Sequence, residues 1–317
     1  MKDKYLVVIL VLLSIVSLFV GVHELNISNL LNGDTMQLEI IYLSRIPRLI
    51  SIILSAVGMS ISGVIMQQIS NNKFVSPTTA ATVDSAKLGV LIAVMFFSTT
   101  TLTEKMIMAF IFSIIGTFIF MKVLRKIKYK NAVFIPLVGI MIGNVISSIT
   151  DFIAYKYNLV QNVNSFMQGN FSMIIKGNYE LLFLTIPLLT VAYIYAYKFT
   201  VIGMGEDISK NLGLNFNKVV TIGMIIVALI SSLVVITIGN IPFLGLVVPN
   251  IVSIYKGDNL SENISTTALV GAIFVLCCDV VGRLIIFPYE IPISVTVGSV
   301  GSIIFLWLIF RRNNNEK

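Results

Sequence analysis

Ten long apolar runs follow one another along this sequence, and they leave little room for any fold except a bundle of membrane-spanning helices. A helix needs roughly 20 apolar residues to cross the hydrocarbon core of a bilayer. Charged residues make up 12% of the chain, whereas a soluble globular domain carries about 25%. We therefore predict an all-α integral membrane protein with about ten transmembrane helices: Tyr5–Val22, Leu49–Ile69, Thr78–Phe97, Met106–Val123, Ala132–Ala154, Leu181–Phe199, Val219–Ile238, Phe243–Tyr255, Thr266–Ile286 and Ile291–Phe310.

Two of these runs need a closer interpretation. The first opens with Lys2 and Lys4, as a signal peptide would, but its apolar part is longer than that of a signal peptide and no small-residue cleavage site follows Val22. We interpret it as an uncleaved membrane helix. The eighth run opens after Pro242 and is short for a full crossing, so we expect a partial or steeply packed helix.

The distribution of Lys and Arg predicts the orientation of the bundle. If the N-terminus lies inside the cell and the runs alternate, most basic residues fall on the inner side, as the positive-inside rule requires. The basic segment Lys122–Lys130 fits this rule and indicates contact with lipid head groups. Because the basic residues are scattered over the loops, they do not indicate nucleic-acid binding. The chain, 1–317, is thus predicted to form one transmembrane domain with both termini in the cytoplasm.

A compact polar segment, Gly203–Lys218, separates two long apolar runs on the predicted inner side. It has the pattern of a short surface helix, because Glu206 and Asp207 stand at its front, where negative charge suits the helix dipole. Lys210 follows Glu206 at the spacing of a favourable ion pair.

The end of this surface helix is also predicted. We expect Leu212 to serve as an apolar anchor and Gly213 to stop the helix in the left-handed conformation. A membrane protein that keeps such a helix on its inner face could offer it to a soluble partner. The alternative is an ordinary interfacial loop.

Charged residues inside predicted spans are costly and indicate function by default. Asp84 and Lys87 lie three residues apart on one face of the third span, so we expect them to neutralise each other. Such a pair could be structural or could belong to a translocation path. Asp279 and Arg283 lie four residues apart in the ninth span, and we expect a similar pair there.

The fifth span carries a polar face that begins at Asn144 and runs to Asp151, with Ser147, Ser148 and Thr150 between them. Two interpretations remain open. The face could line a pore, or its hydroxyl groups could bond back to their own helix.

Two arginines stand at the outer end of the second span, in Arg45-Ile-Pro-Arg48. Their spacing next to Pro47 predicts a fixed fork of guanidinium groups, suited to bidentate binding of carboxylates. The alternative is a pair of arginines that bind lipid head groups.

The sequence lacks motifs for nucleotide binding and for metal binding. It contains no phosphate-binding G-x-x-x-x-G-K-[ST] loop and no His/Cys cluster with metal-ligand spacing, and its only cysteines are the adjacent Cys277 and Cys278. We therefore expect no resident metal or cofactor and no catalytic residues. If ATP drives transport through this chain, another chain must hydrolyse it.

Several motifs together resemble the permease subunits of the iron-siderophore and cobalamin ABC importers. The resemblance runs from about Arg45 to Phe310. The motifs that carry it occur in the family's order: Arg45-Ile-Pro-Arg48, Gly58-x4-Gly63-x3-Gln67, Asn72-Lys-Phe-Val-Ser-Pro77, Gly205-Glu-Asp-Ile-Ser-Lys-Asn-Leu-Gly213, Gly239-Asn-Ile-Pro-Phe-Leu-Gly-Leu-Val-Val-Pro249, Asp279-x3-Arg283 and Pro288-x-Glu-Ile-Pro292.

This resemblance implies a type II ABC importer permease fold in a bacterial plasma membrane, and it implies partners. Two permease subunits, identical or paralogous, would enclose the pathway, and two ATPase subunits would contact residues 203–213. An extracytoplasmic lipoprotein would deliver a ferric siderophore and dock on Arg45, Arg48 and Arg283. Asn72 and Phe74 would belong to a cytoplasmic gate.

The sequence departs from the family pattern at several positions. Lys73 stands where the family usually has Pro, and Asn250 and Ser253 replace a frequent His and Arg. The Trp common in the third outer loop is missing, with Phe166 nearby. Residues 82–89 together with Asn250 resemble the subgroup that imports catecholate siderophores. The alternatives are a haem or cobalamin importer of the same family, or an ion-coupled secondary transporter that uses Asp84 and Lys87.

Overall fold

The computed structural model describes residues 3–21, 35–97, 101–127 and 134–315. Predictions that involve Lys2, Val22, Lys128, Lys130 and Ala132 fall outside these ranges. The described residues form the following helices: α1 (Asp3–Phe19), α2 (Thr35–Ile40), α3 (Ile46–Ser70), α4 (Thr82–Phe96), α5 (Leu102–Lys126), α6 (Phe134–Lys156), α7 (Val160–Met167), α8 (Thr185–Ile202), α9 (Glu206–Asn211), α10 (Phe216–Thr237), α11 (Leu244–Lys256), α12 (Leu260–Leu284) and α13 (Ile293–Asn315).

The predicted count of about ten spans agrees with this arrangement. Seven helical stretches within the described residues are long and apolar enough to cross a membrane. The three remaining predicted spans coincide with shorter helices of 17, 15 and 13 residues, which are α1, α4 and α11. The chain is thus a multi-pass membrane protein with an all-helical fold.

The centre of the bundle is formed by α3 and α10. In the most apolar 18-residue window of each stretch, 72% of residues are buried for 35–70 and 78% for α10, against 28% for α6. The side of α3 that faces its neighbours is rich in Ser, Ala and Gly, which let α8, α10, α11 and α12 approach closely. The exposed outer helices therefore surround a tightly packed core.

The backbones of α3 and α11 approach each other closely in this core. A Cβ atom built on Gly63 would lie 1.9 Å from the carbonyl oxygen of Gly245. We expect Gly63→Leu to force the two helices apart and to lower the amount of folded protein in the membrane by about fivefold or more, because overpacking a tight core typically costs ~1–3 kcal/mol. Size-exclusion chromatography of a fluorescent fusion measures this amount. Val145→Leu, on the exposed side of α6, is the matched control and should leave it unchanged.

The helix that contains the second span begins earlier than predicted. It starts at Thr35 rather than Leu49 and passes through a π-helical turn, Ile41–Arg45, directly into α3. Pro47 does not interrupt it, because proline is tolerated in the first turn of an α-helix. The π-helical turn presents the Leu43 carbonyl oxygen to the backbone N–H of Lys176, at 2.9 Å.

The third span begins later than predicted, at Thr82 rather than Thr78. The preceding residues form a turn in which the backbone N–H of Ser76 donates to the Thr79 hydroxyl at 2.9 Å. Ala81 then adopts a left-handed conformation with φ of 61°. Hydroxyl groups that bond to a nearby backbone favour turns over helix, which explains the shift.

Candidate functional site

A buried charge network lies at the end of the bundle that is predicted to face outward, which we call the outer end. Arg48 of α3 contacts Asp279 of α12 at 2.7 Å and Glu290, in the loop before α13, at 2.8 Å. Arg283 contacts the other Asp279 oxygen at 2.6 Å, as an ion pair without the angle of a hydrogen bond. The predicted pairing of Asp279 with Arg283 is confirmed. Since Asp279 bridges two arginines, it joins α3 to α12.

Arg283 and a further arginine, Arg45, hold the outer end of α1. Arg283 donates to the carbonyl oxygens of Ser17 and Val20 at 2.9 and 2.7 Å, and Arg45 donates to Val20 as well. The last carbonyl groups of a helix lack partners within the helix, and cations are favourable there. The guanidinium groups therefore cap α1.

The predicted fixed fork does not form, because the two arginines bind different partners. Arg45 donates to the Val20 carbonyl oxygen, and Arg48 binds the carboxylates of Asp279 and Glu290. Arg283 is 3% exposed and lies inside the protein. Nothing observed here tests binding-protein docking, so that role stays a prediction.

A cavity of about 430 Å³ opens beside this network. Arg45 and Arg48 line it together with Glu39, Ser172 and Glu290. Both arginines therefore border an open space at the outer end, although each also has an internal partner. Glu290 was noted in the sequence only as part of the closing Pro288–Pro292 motif, and its contact with Arg48 could not be read from local spacing.

The predicted gate residues lie in the turn between α3 and α4. The Asn72 side chain is buried in this turn and accepts from the backbone N–H of Phe74 at 2.8 Å. The Phe74 ring meets Phe305 of α13 edge to face, with centroids 5.9 Å apart. Phe243 also packs against the Phe305 ring, with centroids 6.1 Å apart. The turn is thus fastened to α13 by aromatic contacts.

Three residues that depart from the family pattern lie together beside this turn. The Lys73 ammonium contacts Asp258 at 2.8 Å and the Ser253 hydroxyl at 3.0 Å. The Asn250 amide donates to the Lys73 carbonyl oxygen at 2.8 Å. The sequence shows each of these departures separately, but it does not show that the three residues contact one another.

We expect Lys73→Met to loosen the turn without unfolding the protein. The Lys73 side chain is 43% exposed, so its ion pair is worth on the order of 0.5–1 kcal/mol. Amide hydrogen exchange of residues 71–77, followed by mass spectrometry, should rise by about twofold to fivefold. Lys218→Met, an exposed lysine at the same end, is the control. Unchanged exchange in Lys73→Met would show that the aromatic contacts alone hold the turn.

The polar segment on the predicted inner side forms the short helix α9. The Lys210 ammonium lies 2.8 Å from Glu206, as predicted, and the hydrogen bond to Glu206 raises the pKa of Lys210 above its ordinary value. Gly213 ends the helix with φ of 78°, which confirms the left-handed stop. The helix is anchored by Ser209, which is fully buried and donates to the Val201 carbonyl oxygen at 2.9 Å.

Leu212 is not the anchor of this helix. It is 60% exposed, and Met204 and Ile208 are 54% and 47% exposed. Ile208 and Leu212 lie four residues apart at the C-terminal end of α9, so they form one exposed apolar face. Met204 lies before the helix, on the other side of Gly205, whose φ is 113°. The segment predicted for binding a soluble partner thus presents an apolar surface of the kind that protein interfaces use.

The charged residues inside the membrane pair differently from the prediction. The Lys87 ammonium lies 2.6 Å from Asp151 of α6, so its ion pair is with Asp151 and the expected pairing with Asp84 is wrong. The Asp84 carboxylate instead lies against Gly143 of α6. The spacing along α4 could not reveal this, because the partner comes from a helix distant in sequence. Asn144 lies on the exposed side of α6.

The sequence pattern of the FecCD transport family matches residues 9–311. The chain belongs to the FecCD transport family. It is 55% identical over 98% of its length, and 99% of the relative's, to the petrobactin import system permease protein YclN of Bacillus subtilis (strain 168). It is 35% identical to the petrobactin import system permease protein FatD of Bacillus anthracis, over 98% of this chain and 91% of that one.

Two further comparisons agree with this membership. The ferric-anguibactin transport system permease protein FatD of Vibrio anguillarum is 36% identical over 93% of this chain and 94% of its own. A solved structure of a metal-chelate type ABC transporter in an inward-facing conformation matches with a TM-score of 0.82 and 21% identity, covering 98% of each chain. The FecCD chain thus has the fold expected of an ABC importer permease.

Proposed function

We propose that this FecCD chain is the non-catalytic permease subunit of an ABC importer that moves a ferric siderophore of the catecholate type into the cytoplasm. The three relatives reported above are named for petrobactin or ferric anguibactin, and the first shares 55% of its residues with this chain. ATP hydrolysis belongs to two separate ATPase subunits. The haem or cobalamin alternative has no comparable relative among those reported.

The single observation that carries the proposal is the exposed apolar face of α9. Ile208 and Leu212 at the end of α9, with Met204 just before the helix, are exposed apolar side chains, and such a group favours a partner that covers it. Residues 203–213 would therefore dock into the ATPase subunits, with Gly205 and Gly213 setting the two ends of the helix. Glu206, Asp207 and Lys210 would form its polar rim.

The outer end would receive the substrate-binding lipoprotein. Arg45 and Arg48 border the outer cavity and are the arginines that carboxylates of a docking protein could reach. Arg283 would support this surface from within, because it holds α1 and Asp279 in place. Docking would compete with Glu290 for Arg48.

The pathway would lie between this chain and a second permease subunit, identical or paralogous. The exposed polar residues of α6, Asn144 and Asp151, are unfavourable against lipid and would face this pathway. Asn72 and Phe74 would close it at the inner end. The excess of basic residues on the inner segments supports a bacterial plasma membrane location with both termini in the cytoplasm.

Import of defined cargos by the assembled transporter tests this function. The permease is reconstituted with the ATPase and lipoprotein encoded beside it, and uptake is measured for iron-55 petrobactin, haem and cyanocobalamin. We expect uptake of the ferric siderophore only. Uptake of haem or cobalamin with no uptake of ferric petrobactin would replace this proposal with the alternative.

A further inference from the structure

A polar stripe runs along the exposed side of α6. Asn144, Ser148, Asp151 and Tyr155 are all exposed and follow one another at intervals of three or four residues, so they lie on one side of the helix. The Asp151 side chain is 56% exposed and Tyr155 is 79% exposed. Ser148 bonds back to the Asn144 carbonyl oxygen at 2.8 Å, so Asn144, Asp151 and Tyr155 carry the polar character.

An apolar stripe lies directly beside it on the same helix, formed by Met141, Val145 and Phe152. Apolar side chains suit lipid or a partner helix, whereas a carboxylate suits neither. The boundary between the two stripes therefore marks where α6 leaves an apolar environment and borders water.

The Lys87 ammonium contacts this polar stripe from behind. Lys87 comes from α4, and its side chain is 11% exposed, so the ammonium lies between the two helices while Asp151 faces outward. The ammonium lies 2.6 Å from Asp151 and 3.4 Å from the Ser147 hydroxyl. The anion is thus exposed on the surface of the chain, and the ammonium that neutralises it lies behind it.

We propose that Lys87 allows an anionic ferric chelate to pass Asp151, and that the pair is a charge-specificity element of the transport pathway. The inference rests on the proposed function. A ferric complex of catecholates carries net negative charge, because each catecholate is a dianion and the iron is trivalent. A bare Asp151 carboxylate on the pathway would repel it, and because the passing chelate displaces water from beside Asp151, the repulsion is screened less than in bulk water.

Three variants of the assembled transporter test this, with uptake of iron-55 petrobactin as the readout. Lys87→Met should lower uptake by about tenfold or more, since one unscreened charge at close range is worth at least ~1.4 kcal/mol outside bulk water. Asp151→Asn should keep uptake at or above the wild-type rate. The double variant Lys87→Met/Asp151→Asn should restore uptake to within about twofold of wild type, because no bare charge remains.

The outcomes separate this inference from a structural role and from the proposed function. If the pair only stabilised the fold, Asp151→Asn would also lose uptake and the double variant would not recover it, and either result would overturn the inference. Membrane abundance and basal ATP hydrolysis are measured for each variant, and Lys87→Arg should behave as wild type. A wild-type transporter that imports haem but not ferric petrobactin would overturn the proposed cargo, and this inference with it.

Discussion

Asp279→Ala is expected to unfold most of this permease in the membrane. The Asp279 side chain is 3% exposed and lies between Arg48 and Arg283, with contacts of 2.7 and 2.6 Å. Its removal leaves two buried guanidinium groups facing each other, of which Arg283 is itself 3% exposed. Breaking a buried ion pair in this way costs about 3–5 kcal/mol, which is a large fraction of the stability of a typical domain.

Two measurements check this expectation. The amount of folded protein in detergent extracts should fall by more than about tenfold, and its midpoint of thermal unfolding should drop by several degrees or more. Glu39→Ala, at the rim of the outer cavity, is the control and should change neither. An Asp279→Ala protein of wild-type abundance and stability would show that the network at the outer end does not hold the bundle together.

Replacing the apolar face of α9 with charge is expected to abolish transport while the protein still folds. Ile208→Asp with Leu212→Asp changes two side chains that are 47% and 60% exposed, so the fold loses little by their removal. An interface that buries these positions would take up two unpaired carboxylates, and burying unpaired charge is strongly unfavourable. Uptake should therefore fall by more than about tenfold, and co-purification of the ATPase subunits should fall with it.

The controls for the α9 variant separate docking from folding. Membrane abundance of the double variant should stay within about twofold of wild type, since exposed positions seldom change stability by more than ~0.5 kcal/mol. Asn217→Asp adds a charge to the same inner surface, outside the apolar face, and should transport normally. Normal ATPase binding and uptake in the α9 variant would show that α9 is an ordinary surface segment and not a docking site.

The features predicted correctly from the sequence are those that depend on residues close together in the chain. Long apolar runs located the helices, because crossing a bilayer requires length and apolarity whatever the neighbours are. The Glu206–Lys210 and Asp279–Arg283 pairs and the Gly213 stop were predicted correctly, since each depends on a spacing within one helix or on one residue's conformational freedom.

Features that depend on packing between helices were not predictable in this way. The partner of Lys87 lies on another helix, and Arg45 and Arg48 find partners distant in sequence. Leu212 was interpreted as an anchor because apolar side chains usually face inward, and its exposure agrees better with a face kept for another chain. The spacing of residues along one helix does not show which neighbouring helix those residues will contact.

Iron-55 petrobactin uptake into proteoliposomes, measured with and without the ATPase subunits, shows whether transport through this chain depends on ATP hydrolysis by separate subunits. We predict uptake only when ATPase, ATP and the substrate-binding lipoprotein are all present, and we expect no change when a proton gradient is collapsed. Uptake by this chain alone, driven by a proton gradient, would contradict the proposal.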